Sequence, residues 1–484
     1  MNKDMKIRNY SFKQNLSHII PPVNYLTHNL YSYPAKFIPH VPYYVISKFL
    51  KQKDGIILDP FAGSSSTAIE ALRLGHNSIC LDINPLTNFL TKAKTQRITF
   101  NLTHKTPIKL DTFLEKEDNR SADIKYNTIY ITKFIERMKR NDQAFYPRWK
   151  NIDHWYPIEF KEVLANIWGY IFSIEDNYTD DFINLIKITA LYVSRFLSYG
   201  ARDVPKLFKS KRREKQIKKL RVKVKDNPNI PYDTFHNILL KYFNQMKHLT
   251  EYLREKNIFP EYEYEVNIDN IRSREKNKKK IICLGGKDVS SYEFPLNGEF
   301  VDLIITSPPY IYAQEYIRST KLDLYWMNLV DDLKVRELTR RELGTKRNLD
   351  VDFIRDKLKN IEIFISTAEK LEKIELAKYK QVGKYTILIY NYFYDMYMII
   401  EKLIRSLKQN GVFGLFIGNP TVLGYPVPCH KIFCEIFEEL GLSIREFGYD
   451  EIISPRLLKG RQNLSPNGMK AEWLIIAQKE RGLT

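Results

Sequence analysis

A chain of 484 residues is too long for one compact hydrophobic core, so two domains, or one heavily elaborated domain, are expected. Its 76 Lys and Arg against 57 Asp and Glu leave a net charge of +19 and a pI near 9.4. That favours a polyanionic partner, nucleic acid before membrane, although charge alone leaves open a basic protein with no such partner. Four scattered cysteines (Cys80, Cys283, Cys429 and Cys434) exclude a disulfide framework, and no metal-ligand spacing occurs. No run of about 18 uncharged apolar residues is available to cross a bilayer. The first residues, Met1-Asn-Lys-Asp4, lack an apolar signal core, and a reducing cytoplasm is the expected compartment.

Residues 1–30 are polar and weakly patterned and read as an arm. Tyr31 to His40 is a Pro-bounded aromatic turn, followed by a helical pattern over 44–50. A buried strand at 56–58, a tight loop at 59–64, a helix at 65–74 closed by Gly75, a second buried strand at 78–82 and a helix at 86–94 make a βαβ unit. Regular alternation then stops. Residues 100–275 show no buried strand run and are helical and aromatic, as at 162–171, 181–196 and 234–253. Between the last two, residues 206–225 hold eleven basic residues and one acidic residue. This run, including Lys209, Lys211, Arg212, Arg213, Lys218 and Lys219, reads as a phosphate-contacting surface or as a solvated face. Strands resume at 280–288 and 301–305, with a helix at 318–329 and a charged helical excursion over 331–380 that includes Arg340-Arg-Glu-Leu-Gly-Thr-Lys-Arg347. A helix at 392–407, a strand at 412–417, a helix at 431–440 and strands at 443–447 and 473–477 complete about seven strands with helices between them, a Rossmann-like α/β sheet carrying a large, mostly helical insertion.

Two stretches carry chemistry. The strand from Val301 stops at Ser307-Pro-Pro-Tyr310, because consecutive prolines cannot donate ladder hydrogen bonds and stiffen the backbone. Ser307 and Tyr310 are thereby placed on a rigid turn at the carboxyl edge of a sheet, where ligands bind in open α/β folds. The Ser307 oxygen and a turn carbonyl suit the hydrogens of an exocyclic amine, and Tyr310 suits stacking on a planar base. The plainer reading is a proline-terminated strand end. The second stretch, Asp59-Pro-Phe-Ala-Gly-Ser64, sets a small-residue loop between strand and helix, with Gly63 allowing close backbone approach and a helix amino terminus facing the same point. Asp82, about 20 residues on, is placed for ribose hydroxyls. The glycine patterns of dinucleotide and P-loop sites are absent.

Together these residues resemble the DNA amino-methyltransferases that use S-adenosylmethionine to methylate N4 of cytosine or N6 of adenine. The resemblance covers about 28–99 and 278–480. It implies that Asp59, Pro60, Phe61, Gly63 and Ser64 form the first cofactor motif, that Asp82 holds the ribose, and that Asp288 lies near the adenine amine. Tyr33-Pro34-Ala-Lys-Phe37 is similar to the aromatic-proline motif that closes over the methionine end. Ser307, Pro308, Pro309 and Tyr310 match the catalytic motif, whose leading Ser is typical of cytosine-N4 enzymes. One departure is Ser65, where the family usually has a second glycine. Pro428-Cys429 superficially resembles a carbon-5 nucleophile, which direct transfer does not need. The resemblance implies double-stranded DNA as partner, with a cognate restriction endonuclease as a further candidate. It also implies a division into 1–99, a target-recognition insertion at 100–277, and a catalytic half at 278–484. Within the insertion, Asp153-His-Trp-Tyr-Pro157 and Arg195-Phe-Leu-Ser-Tyr199 read as DNA contacts or as helical core. Ser454 to Arg461 reads as a loop at the active face or a solvated loop. An RNA base methyltransferase and an inactive DNA-binding relative are the rival readings.

Overall fold

A computed structural model describes residues 7–20, 25–33, 37–101, 108–109, 131–201, 207–273, 275–295, 298–311, 315–343, 349–452 and 469–480. Its centre is one mixed sheet. In chain order the strands are β1 (Arg8–Asn9), β2 (Ile56–Asp59), β3 (Asn77–Asp82), β4 (Phe259–Glu263), β5 (Lys278–Gly285), β6 (Val301–Thr306), β7 (Leu407–Gly418), β8 (Leu442–Glu451) and β9 (Ala471–Lys479). Across the sheet they run β1-β8-β9-β7-β6-β2-β3-β5-β4, and every pair is parallel except β9, which is antiparallel to both β7 and β8. The chain moves outward from β2 to β3 and β5, then returns to build β6 and β7 on the other side of β2. The strand order therefore reverses between β2 and β6, and the crevice beyond their carboxyl ends is where such sheets hold ligands.

The sheet has nine strands among the described residues, where the sequence gives reason to expect about seven. All seven expected segments are strands. The two additions are edge strands: β1 has two exposed residues, and β4 is half-buried along its length, so neither shows the apolar run that marks an inner strand. β1 also corrects the reading of 1–30 as an arm. Of the described part, Tyr10 and Phe12 are buried against β8 and β9, and Thr27, His28 and Leu30 are buried further along.

The helices are α1 (His40–Phe49), α2 (Ser66–Arg73), α3 (Leu86–Thr95), α4 (Ile158–Ser173), α5 (Asp180–Leu197), α6 (Lys211–Asp226), α7 (Ile230–Glu255), α8 (Tyr316–Trp326), α9 (Asp332–Arg341), α10 (Val351–Lys357), α11 (Glu362–Tyr379), α12 (Lys384–Ser406) and α13 (Cys429–Glu439). Val41, Val45 and Ile46 of α1 pack on one face of the sheet against Ile57, Leu303, Ile305 and Phe416. Phe393 and Ile400 of α12 and Ile432 and Phe433 of α13 pack on the other face with Leu58, Ile304 and Leu415. Inner strands covered on both faces explain their unbroken apolar runs, each fully buried large side chain contributing ~1.5–3 kcal/mol. A third core joins α4, α5 and α7 through Trp168, Phe182, Leu191 and Phe235, and includes Leu90 of α3 and Leu324 and Trp326 of α8.

From Lys211 onward the basic run is a helix, and its exposed lysines leave both the phosphate-contacting and the solvated-face readings open. Ser210 caps α6 by accepting from the Arg213 amide, Ile217 is buried, and Leu220 and Val224 pack on the helical core. Apolar anchorage on one side offsets the like-charge repulsion on the other.

Candidate active site

The two motif-bearing turns lie side by side because the strands that deliver them are neighbours. Ile57 and Leu58 of β2 pair with Leu303 and Ile304 of β6. Their ends are tied by Asp59, whose buried carboxylate accepts from Thr306 Oγ1 at 2.7 Å, Thr67 Oγ1 at 2.5 Å and the Phe61 amide at 3.1 Å. Burial pushes the Asp59 carboxyl up to about 6 against the pull of these hydrogen bonds. Asp59 does not line the cleft. It fixes the residue before Ser307 to the start of the cofactor loop, a positioning part rather than the ligand contact expected from sequence.

The loop itself has almost no freedom. Gly63 stands at φ 48°, a conformation that costs glycine nothing, and a Cβ there would come within 3.1 Å of the Tyr33 ring. Its amide donates to Asp82 Oδ2 at 2.7 Å and its carbonyl accepts from Thr87 Oγ1 at 3.0 Å. The Ala62 amide donates to the Leu81 carbonyl, and the Lys94 ammonium, fully buried, donates to the Ser64 carbonyl. Ser65 takes the left-handed conformation, φ 61°, that the usual glycine would take freely, and its hydroxyl bonds to Thr91 at 2.5 Å. The pocket thus survives the Gly-to-Ser departure at a local backbone cost.

A cleft of about 1180 Å³, counted out to its open mouth, runs over both turns. Of the expected cofactor residues, Tyr33, Phe37, Pro60, Phe61, Gly63, Ser64, Asp82 and Asp288 line it, while Pro34 lies outside the described residues. Of the four residues expected at the catalytic turn, Ser307 and Pro309 line it, while Pro308 and Tyr310 do not. Asp82 also accepts from the Asn84 amide at 2.8 Å, and burial raises its carboxyl to about 6, the Asn84 and Gly63 amides opposing and Asp59 adding. Asp288 accepts from Ser290 and is bridged by Arg341 Nε at 3.3 Å. Such a cleft, with an aromatic wall, the Asp82 carboxylate at the end of β3 and a glycine backbone open to close approach, fits a nucleoside-bearing cofactor.

Several cleft residues carry no sequence signal. Tyr316, at the start of α8, stacks on Tyr33 with centroids 6.1 Å apart. Glu342 accepts from the Ile317 amide at 3.0 Å, and burial pushes its carboxyl up to about 7. Arg340 and Arg341 belong to a cluster legible only as basic surface, and Asp395 and Ile399 come from mid-helix in α12. Perturbed carboxyls gathered in one cleft are a mark of a functional site.

At the catalytic turn the Pro309 carbonyl accepts from Tyr392 OH at 2.9 Å. Among the described residues none donates to the Pro308 carbonyl, and the Ser307 side chain hydrogen-bonds the Tyr310 hydroxyl. Cys429 is buried and its thiol is pushed up by burial, far from a thiolate nucleophile.

The expected DNA contacts divide. Lys211, Arg212, Lys218 and Lys219 are exposed on α6. Arg213 is not available to a phosphate: it is buried, and its guanidinium donates to the Ser198 carbonyl at 3.0 Å and the Phe196 carbonyl, closing the end of α5. Lys209 sits over the Tyr199 ring, 4.2 Å from its centroid. Arg195 is structural, its Nε bonding both oxygens of the fully buried Asp323 of α8 at 3.0 and 2.8 Å. Tyr156 is core, edge-on to Trp326, while His154 is exposed. The 454–461 loop lies outside the described residues. Among those residues no helix is long and apolar enough to cross a membrane.

Comparison with known proteins adds a family. A family profile described as DNA methylase matches residues 3–88, which take in the loop and Asp82. The chain is 25% identical over 442 residues to the type II methyltransferase M.BsoBI of Geobacillus stearothermophilus, covering 86% of this chain and 79% of that protein. It is 22% identical over 439 residues to the type II methyltransferase M.MvaI of Kocuria varians, covering 89% and 85%. With the type II methyltransferase M.MjaII of Methanocaldococcus jannaschii it shares 25% identity over 136 residues, 28% of this chain and 24% of that protein.

Proposed function

Because this chain is an amino-methyltransferase of the N4/N6 family, we propose that it methylates N4 of cytosine in double-stranded DNA at a specific site, with S-adenosylmethionine as cofactor. The observation that carries this reading is that Gly63 and Ser307, 244 residues apart in sequence (307 − 63), line one cleft. When bound, S-adenosylmethionine supplies a methyl group already activated on a sulfonium. The protein's own work is then positioning. Gly63 and Asp82 hold the nucleoside end, and Tyr33, Phe37 and Tyr316 wall the cleft. The target base must leave the duplex stack at a cost of a few kcal/mol, and Tyr310 offsets part of it by stacking, worth ~1–3 kcal/mol per base. Ser307 and the Pro308 carbonyl accept the amine hydrogens and so aim the nitrogen lone pair into the cleft. The leading Ser supports cytosine over adenine.

The helical stretch 100–277 is the proposed target-recognition region, with Lys211, Arg212, Lys218 and Lys219 on phosphates. By analogy with relatives named type II methyltransferases, a cognate restriction endonuclease is the proposed companion. The test is methyl transfer from labelled S-adenosylmethionine to amplified, unmodified bacterial DNA and to RNA, followed by mass analysis of nucleosides. N4-methylcytosine is the expected product. N6-methyladenine would replace the base assignment, transfer to RNA alone would overturn the DNA assignment, and no cofactor binding would favour an inactive relative.

A further inference from the structure

The Tyr310 hydroxyl donates to Glu472 Oε1 at 2.6 Å. Glu472 is directly opposite Gly418 across the β9–β7 ladder and opposite Asp450 across the β9–β8 ladder. Three neighbouring strands thus set Gly418, Glu472 and Asp450 in one row at the edge where the catalytic turn lies. The Tyr310 ring occupies the room over Gly418, where a Cβ would meet Tyr310 Cε2 at 2.9 Å and Met469 Sδ at 2.0 Å. Glycine gives the ring its space and glutamate takes its far end.

The row is not what packing alone selects. Directly opposed carboxyls on antiparallel strands destabilise a sheet, and glycine within a strand weakens it. Asp450 is held by the Phe12 amide at 2.9 Å. Burial raises the Glu472 carboxyl, the Tyr310 hydroxyl opposing and Asp450 adding to it. Local rules broken together, beside one turn, point to a function for the row. An aromatic platform for an extruded base needs a fixed ring plane, and a tyrosine hinged only at Cα and Cβ does not supply one.

We propose that Glu472 is a positioning residue that fixes the plane of the Tyr310 ring, through the hydroxyl, for stacking on the extruded base. This rests on the methyltransferase reading and adds a residue that lies on no recognised motif, 162 positions from the tyrosine it serves.

The test is a double-substitution cycle on the full chain, with tritiated S-adenosylmethionine and amplified, unmodified bacterial DNA. Glu472→Ala and Tyr310→Phe should each lower kcat about tenfold, the double variant no further than either alone, with cofactor Kd by calorimetry unchanged throughout. Glu472→Gln, which still accepts from a hydroxyl, should restore kcat to within about threefold of the parent. Additive losses near a hundredfold in the double variant, or a Tyr310→Phe variant with parental kcat, would overturn the inference while leaving the function standing. Should Glu472→Ala fail to fold, Tyr310→Phe and Glu472→Gln still decide it. Absence of transfer by the parent enzyme would strike the function first and the inference with it.

Discussion

The two turns that meet in the cleft are held in opposite ways. The cofactor loop is fixed by near neighbours: Gly63 by Asp82 at 19 positions, Ser65 by Thr91 at 26, and Ser64 by Lys94 at 30. The catalytic turn is fixed from afar: Thr306 by Asp59 at 247 positions, Tyr310 by Glu472 at 162, and Pro309 by Tyr392 at 83. The loop is set once one βαβ unit forms, whereas the turn takes its shape only when the whole sheet is assembled. Binding and transfer should therefore come apart under mutation.

The widest separation is expected at the turn. Ser307→Ala or Tyr310→Ala should lower methyl transfer on the order of a hundredfold, with cofactor affinity by calorimetry left largely intact. A matching loss of affinity would show that the two turns act as one unit. The mirror experiment is Gly63→Ala, which places a Cβ against Tyr33 at a positive φ. It should weaken cofactor binding about tenfold or more, with kcat at saturating cofactor little changed.

Asp82 gives a pH signature. Its carboxyl moves from 3.8 up to about 6 in the folded protein. For folding, a raised acid contributes stability that is present below 3.8 and lost as pH rises through 6. For the ligand the sign reverses: ribose hydroxyls need the ionised acceptor, so cofactor affinity should hold above pH 6 and fall as pH drops below it, by up to about tenfold per pH unit. Asp82→Ala should weaken binding and flatten that profile in titrations from pH 5 to 8, and a profile identical to the parent's would move the ribose contact elsewhere.

On the surface the contrast is between α6 residues that look alike in sequence. Changing Lys211, Lys218 and Lys219 together to Gln should reduce the slope of log K for DNA against log salt by about 2–3, at about 0.9 per phosphate contact. Arg213→Gln should leave the slope alone and lower Tm, because its donors end on carbonyls of α5. The smallest effect is expected at Ser65→Gly. Relief of left-handed backbone at ~1–2 kcal/mol is offset by a lost hydroxyl bond worth ~1 kcal/mol, so stability should change by no more than about 1 kcal/mol in a denaturant melt.

Much of the site was legible because its residues are bound to local geometry. Gly63 needs a positive φ, Asp82 ends a strand, and two prolines stop β6, and each of these demands is written in adjacent residues. Boundaries are less legible: α8 begins at Tyr316, not at 318, and α12 runs from Lys384, earlier than its apolar pattern suggests. Arg195 and Arg213, on or beside apolar runs, could not be told from ligand-binding cations until Asp323 and the carbonyls of α5 were seen to occupy them. Tyr316, Glu342 and Asp395 were invisible, since nothing in their neighbours marks a wall of a distant cleft.

The sequence by itself determined the alternation of elements, the inner strands, the glycine-bearing loop and the proline-stopped turn, all features of short-range backbone chemistry and apolar period. Tertiary structure alone decided that β2 and β6 are neighbours, which basic residues face solvent, and that Gly418 and Glu472 share a row beneath Tyr310. Those facts depend on strand order and register, and pairing between strands is set by the burial of whole faces, which no local stretch of chain encodes.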